Sequence, residues 1–104
     1  MFKVILVCMA GMSTNVMRGR IEAAAKESAV DMKVKAIGMD ELDENLNRTD
    51  AVLLGPQIKY NEKNIRIAID KKNPDIPMMV IESTDFGMMR GDLVFKKLMA
   101  LLNK

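Results

Sequence analysis

Short apolar runs recur along the chain at Phe2 to Val7 (FKVILV), Met32 to Ile37 (MKVKAI), Ala51 to Leu54 (AVLL) and Met78 to Ile81 (MMVI). In the first, third and fourth, Lys3 is the sole polar position, and short runs of this kind read as strands buried on both faces. The second alternates apolar residues with Lys33 and Lys35, which predicts an edge strand with one wet face. Between the strands the period lengthens to that of a helix. Val16, Met17, Ile21, Ala24 and Ala25 share a face that excludes Arg20, Glu22, Lys26 and Glu27, predicting a helix over Asn15 to Ala29. A short helix over Asp40 to Leu46, capped by Asp40, and a longer one over Asn61 to Lys71, with Ile65, Ala68 and Ile69 inward, follow the second and third strands. Leu93, Leu98, Leu101 and Leu102 mark a closing helix over Leu93 to Leu102.

Strand and helix thus alternate from end to end. That pattern specifies an α/β domain, a single parallel sheet with helices on both faces and right-handed crossovers. If the weak second strand is the edge, the strand order is 2-1-3-4. Such a sheet has its switch point between strands one and three, and open α/β sheets bind ligands beyond the carboxyl ends of their strands at that point. The loops that meet there begin at Cys8 and Gly55.

A chain of 104 residues has room for one core, so residues 1–104 are expected to form a single domain. No apolar run approaches the roughly 18 residues of a membrane span, and Lys3 interrupts the apolar start, so neither a leader nor membrane insertion is expected. The 16 basic and 14 acidic residues are dispersed, for a net charge of +2, and lack the concentrated positive footprint of a nucleic-acid binder. One cysteine forms no internal disulfide, and a chain without histidine offers no zinc-like ligand set. No metal or other cofactor is expected, and a reducing cytoplasm is the natural compartment.

The sole cysteine lies where the first strand gives way to small polar residues, in VILVCMAGMSTN from Val4 to Asn15. In this register Cys8 ends the strand, and Met9 to Thr14 cross to the first helix. Backbone N–H groups at a helix start are unpaired and partly positive, so they stabilise a thiolate or hold a phosphate. Gly11 permits a tight turn, while Ser13, Thr14 and Asn15 offer short polar side chains for capping or for phosphate oxygens. Two readings follow: an inert core cysteine beside an ordinary helix cap, or a nucleophile in a phosphate-sized loop.

Other phosphate and thiol motifs are excluded. Neither the Walker pattern nor G-x-G-x-x-G occurs, and one cysteine cannot make a Cys-x-x-Cys redox centre. Cysteine phosphatases clamp phosphate with an arginine at the position held here by Thr14. A phosphocysteine here would be poorly driven towards hydrolysis.

Three stretches together carry a likeness to a known family. Val7-Cys8-Met9-Ala10-Gly11-Met12-Ser13-Thr14 matches a strand-ending cysteine followed by x-A-G-M-S-T; Ala51-Val52-Leu53-Leu54-Gly55-Pro56-Gln57 matches an L-L-G-P-Q segment; Asp85-Phe86-Gly87-Met88-Met89 matches a D-Y-G-like turn. Over essentially its whole length the chain resembles the IIB component of the lactose/cellobiose (N,N'-diacetylchitobiose) family of the bacterial phosphoenolpyruvate-dependent sugar phosphotransferase system. The resemblance implies a phosphotransferase on a flavodoxin-like fold that acts as a phosphoryl carrier. A phosphohistidine on a IIA protein would phosphorylate Cys8, which would pass the group to a β-linked disaccharide of the cellobiose, chitobiose or lactose type held by membrane-embedded IIC. It further implies a cytoplasmic protein that reaches the membrane only through IIC. By the same resemblance Cys8 is the acceptor, Met9, Ala10, Gly11, Met12, Ser13, Thr14 and Asn15 line the phosphate loop, and Gly55, Pro56 and Gln57 form the neighbouring wall. Phe86 stands where the family's tyrosine is expected, so no hydroxyl is available there.

Two other readings compete: a phosphohydrolase of the low-molecular-weight phosphatase type, and a non-catalytic flavodoxin-like interaction module. Eleven methionines chiefly fill the core, but Met9 and Met12 flank Cys8 and suit an adaptable apolar rim for IIA and IIC. Arg18 and Arg20 fall near a helix start, where positive charge is unfavourable, and either mark an exposed face or meet a phosphorylated partner. Lys59, Tyr60, Lys63 and Arg66 form either a wet helix face or a partner contact, and the acidic group Asp40, Glu41, Asp43 and Glu44 a solvated helix start.

Overall fold

The computed structural model describes residues 1–9 and 12–102, and for residues 12 and 13 the backbone alone. Four parallel strands, β1 (Phe2–Val7), β2 (Met32–Ile37), β3 (Ala51–Leu54) and β4 (Met78–Val80), form one sheet in the order β2-β1-β3-β4. Both the strand positions and the order match the expectation from apolar patterning. Val4 of β1 pairs with Val34 of β2 on one side and Ala51 of β3 on the other, so β1 is central.

The period of two along β1 divides the core. Val4, Leu6 and Cys8 face one side of the sheet with Ala51 and Leu53, packed against Met17, Ile21 and Ala25 of α1 (Met12–Glu27) and Val94, Phe95 and Leu98 of α5 (Gly91–Leu102). Ile5 and Val7 face the other with Val52 and Leu54, against Leu42 of α2 (Leu42–Asn45) and Ile65 and Ile69 of α3 (Glu62–Lys72). Strand β2 alternates as its sequence requires: Met32 and Val34 are buried while Lys33 and Lys35 are exposed. On its open edge, the Glu22 carboxylate of α1 accepts the Val34 N–H at 2.8 Å and is itself held by Arg18 at 3.1 Å.

Helix boundaries depart from the apolar pattern for local reasons. Helix α1 begins at Met12, three residues before the expected Asn15, because its inward stripe starts on a polar residue, Thr14, which is buried and leads to Met17, Ile21 and Ala25. Val16 lies off that stripe and is exposed, contrary to the expected face. The helix ends at Glu27, where Ala29 turns left-handed at φ 57° and the Val30 N–H bonds back to the Ala25 carbonyl at 2.8 Å. Asp40 does not cap α2 but lies within a 3₁₀ turn, Met39–Glu41, that precedes it. A second 3₁₀ segment, Pro56–Asn61, follows β3 and buries Ile58.

One element had no apolar signature. Residues 83–87 form a short helix, α4 (Ser83–Gly87), where a turn was expected, and it buries Asp85 and Phe86. Lys97 of α5 donates to Asp85 at 2.7 Å and to Glu82 at 3.0 Å, tying α4 to α5. The hydrogen bond to Asp85, more than that to Glu82, holds the Lys97 ammonium above the ordinary lysine value. A raised lysine value contributes stability that is complete below the ordinary value and is lost as pH rises through the folded one. Lys97→Met should therefore lower the thermal midpoint at neutral pH. The gap to the wild type should close in strongly alkaline buffer, as read by circular dichroism melts across pH.

Helix α5 starts in close contact with the backbone of α1 at Gly91. A Cβ there would lie 2.4 Å from Arg20 Cβ and 2.6 Å from the Arg20 carbonyl carbon, with the Ile21 nitrogen at 2.8 Å. Backbone cannot yield as a side-chain tip does. Gly91→Ala should cost about 1–3 kcal/mol in urea unfolding despite alanine's better helix propensity.

Candidate functional site

Cys8 is the residue immediately after β1. Its backbone stays in the sheet, the N–H bonding to the Ile37 carbonyl at 3.0 Å, and its side chain continues the Val4 and Leu6 parity onto the α1 side. The thiol therefore lies at the carboxyl edge of the central strand, on the face from which α1 departs four residues later at Met12. The first-turn N–H groups of α1, from Met12 onward, have no partners within the helix and carry its positive dipole end.

Strand β3 supplies the opposite wall. The Gly55 N–H bonds to the Val7 carbonyl at 2.9 Å, which holds the start of the Gly55-Pro56-Gln57 segment beside Cys8. The Cys8 thiol donates to the Gln57 side-chain oxygen, with Sγ and Oε1 3.4 Å apart. Glycine at 55 leaves the sulfur uncrowded, since a Cβ would stand 2.8 Å from the Cys8 sulfur and 2.8 Å from Gln57 Oε1, and one or both would have to shift. Sulfur, glycine and amide thus form one compact arrangement, in which Cys8 is only 4% exposed. Gln57 is exposed at its rim and Pro56 half-buried.

The other expected site residues divide. Met9 follows Cys8 and is 59% exposed, as an apolar rim requires. Thr14 and Asn15 belong to the first turn of α1, not to the loop before it, and Thr14 is turned into the core at 4% exposure while Asn15 faces solvent. Thr14 is thus as buried as Cys8 itself. Ala10 and Gly11, with the side chains of Met12 and Ser13, lie outside the described residues.

Of the cations weighed as partner contacts, Arg18 is engaged by Glu22 at 3.1 Å, and Arg20 is exposed. Arg66 is a scaffold residue, bonding Asp70 and the carbonyls of Pro74 and Ile76. Phe86 is buried in the same apolar cluster as Cys8, a place where a tyrosine hydroxyl would need a partner. Asp85 was missed as a structural residue because its partner Lys97 lies twelve positions on, beyond a break between two helices. Among the described residues no group of three histidine, cysteine, aspartate or glutamate side chains gathers in a way that could hold a metal. No helix among them is long and apolar enough to cross a membrane.

Comparison with known proteins bears on this arrangement. Residues 3–97 match the family described as PTS system, lactose/cellobiose specific IIB subunit. The chain is 35% identical over 103 residues to a galactose-specific EIIB component from Lactococcus lactis subsp. cremoris, with 94% of each chain covered. It is 34% identical over 103 residues to a cellobiose-specific EIIB component from Lactococcus lactis subsp. lactis, again with 94% of each covered. The solution structure of a cellobiose-specific phosphotransferase IIB component from Borrelia burgdorferi superposes with a TM-score of 0.78 at 35% identity, covering 98% of this chain and 92% of that one. Family match, sequence identity and fold agree along nearly the whole length: the chain belongs to the lactose/cellobiose-specific IIB family of the sugar phosphotransferase system.

Proposed function

We propose that this IIB protein is a phosphoryl carrier whose covalent intermediate is phosphocysteine at Cys8. The observation that carries the reading is the Cys8 thiol at the carboxyl end of the central strand, bonded to Gln57 and faced by a glycine that leaves room at the sulfur. In the first step the phosphorus–nitrogen bond of a IIA phosphohistidine breaks, a phosphorus–sulfur bond forms at Cys8, and the thiol proton goes to the departing ring nitrogen. In the second the phosphorus–sulfur bond breaks, a sugar hydroxyl in IIC takes the phosphoryl group, and its proton returns to the sulfur. Atoms and charge balance without a metal. Such a transfer asks the protein for positioning and for dipoles aimed at the phosphoryl oxygens, which the start of α1 supplies from Met12 onward. Met9, Ala10, Gly11, Met12, Ser13, Thr14 and Asn15 are assigned to the phosphate loop and its rim, and Gly55, Pro56 and Gln57 to the facing wall.

The phosphatase reading fares worse. Thr14 stands buried where that reaction needs an arginine, and Asp85, the aspartate following β4, is 7% exposed and bound to Lys97 at 2.7 Å. A general acid must be free to meet the leaving group.

The partners are a IIA donor and a membrane IIC acceptor, which places the protein at the cytoplasmic face of the membrane. The sugar belongs to the β-linked disaccharide class. Relatives named for galactose and for cellobiose are 35% and 34% identical to this chain, so identity alone does not select among sugars.

Intact-protein mass spectrometry after incubation with phosphoenolpyruvate, the general phosphotransferase proteins and a set of IIA proteins should show one added phosphoryl group. Cys8→Ser should acquire none. A folded wild type that gains no such mass from any IIA protein would return Cys8 to the core and leave a non-catalytic module. Aryl phosphate turnover that depends on Cys8 would instead favour the phosphatase.

Gly55→Ala provides a second check. The backbone at 55 (φ −65°, ψ 148°) accepts alanine, but the added methyl presses on the sulfur and the Gln57 oxygen. Its phosphorylation by IIA should slow roughly tenfold to a hundredfold while the fold is retained, as followed by stopped-time mass spectrometry and circular dichroism.

A further inference from the structure

Resting on that carrier reading, we infer that Gln57 is a positioning residue whose side-chain amide reverses its face when Cys8 passes from thiol to phosphocysteine. In the described state the thiol is the donor and Gln57 Oε1 the acceptor at 3.4 Å. Transfer removes that donor. The sulfur loses its proton and gains a group that presents only acceptor oxygens, so a carbonyl left facing it would set acceptor against acceptor.

Glutamine resolves the conflict without moving its backbone. A half-turn about its last torsion exchanges oxygen for NH₂ in nearly the same volume, and that torsion is broad and roughly two-fold. The wall permits the turn because Gln57 is exposed at the rim. Its lower edge is fixed, since Gly55 is bonded to Val7 and has no Cβ to intrude between amide and sulfur. The thiol state is held by a weak neutral hydrogen bond. The phosphorylated state is held by a charge-assisted one, about twice as strong. One side chain thus suits both states, orienting the S–H before transfer and donating to the phosphoryl group afterwards.

The substitutions separate this role from simple wall packing. Gln57→Glu keeps the acceptor for the thiol but repels the phosphoryl group, while Gln57→Met keeps the length and removes both functions. With a cellobiose-type IIA protein as donor, the equilibrium fraction of phosphocysteine should fall roughly tenfold for Gln57→Met and further for Gln57→Glu. Thermal midpoints of the unphosphorylated variants confirm that they are folded. In the wild type, proton–nitrogen spectra should show the Gln57 side-chain NH₂ shifting downfield on phosphorylation, with a coupling to phosphorus across the hydrogen bond. A wild type that is phosphorylated while its Gln57 amide stays unmoved, and folded variants that take up the group equally, would overturn this inference alone. A wild type that accepts no phosphoryl group would overturn the carrier reading and this inference with it.

Discussion

The phase of side-chain alternation along β1 is the constraint on which the rest depends. This strand is paired on both edges and buried on both faces, so Val4 and Leu6 must meet α1 and α5 while Ile5 and Val7 meet α2 and α3. A slip of one residue would exchange the two sets and bring every side chain to the wrong layer. Cys8 is the next member of the Val4 and Leu6 series, which puts its sulfur on the α1 side. The thiol is thus placed by the packing of the core and needs no dedicated local device.

The strands were legible because burial on both faces leaves a sequence mark that needs no partner to be read. Lys33 and Lys35 marked β2 as the edge, and the sheet order followed. The start of α1 was less legible, because its inward stripe opens on Thr14, a residue whose chemistry suggests a loop, while the apolar Val16 faces solvent. Helix α4 was not legible at all: five residues give too little period, and Asp85 is buried only because Lys97 reaches it from another helix. At the site, the meeting of the loops that begin at Cys8 and Gly55 could be read, but not the bond from Cys8 to Gln57, which spans 49 residues and exists only once β1 and β3 are paired.

The described groups against the sulfur, Gly55 and Gln57, are both uncharged, and the guanidinium of Arg18 is turned to Glu22. On the proposed carrier reading, a phosphoryl group in such surroundings would be held by dipoles and not clamped by a full positive charge. That arrangement suits an intermediate which must leave as readily as it arrives, whereas a bidentate arginine would deepen the well and slow the second transfer.

Glu22 has a consequence outside the chemistry. Its carboxylate occupies the Val34 N–H on the open side of β2, where a strand from a neighbouring molecule would otherwise add to the sheet. With that position filled by the chain's own helix, edge-to-edge growth into ordered aggregates is blocked at its starting point.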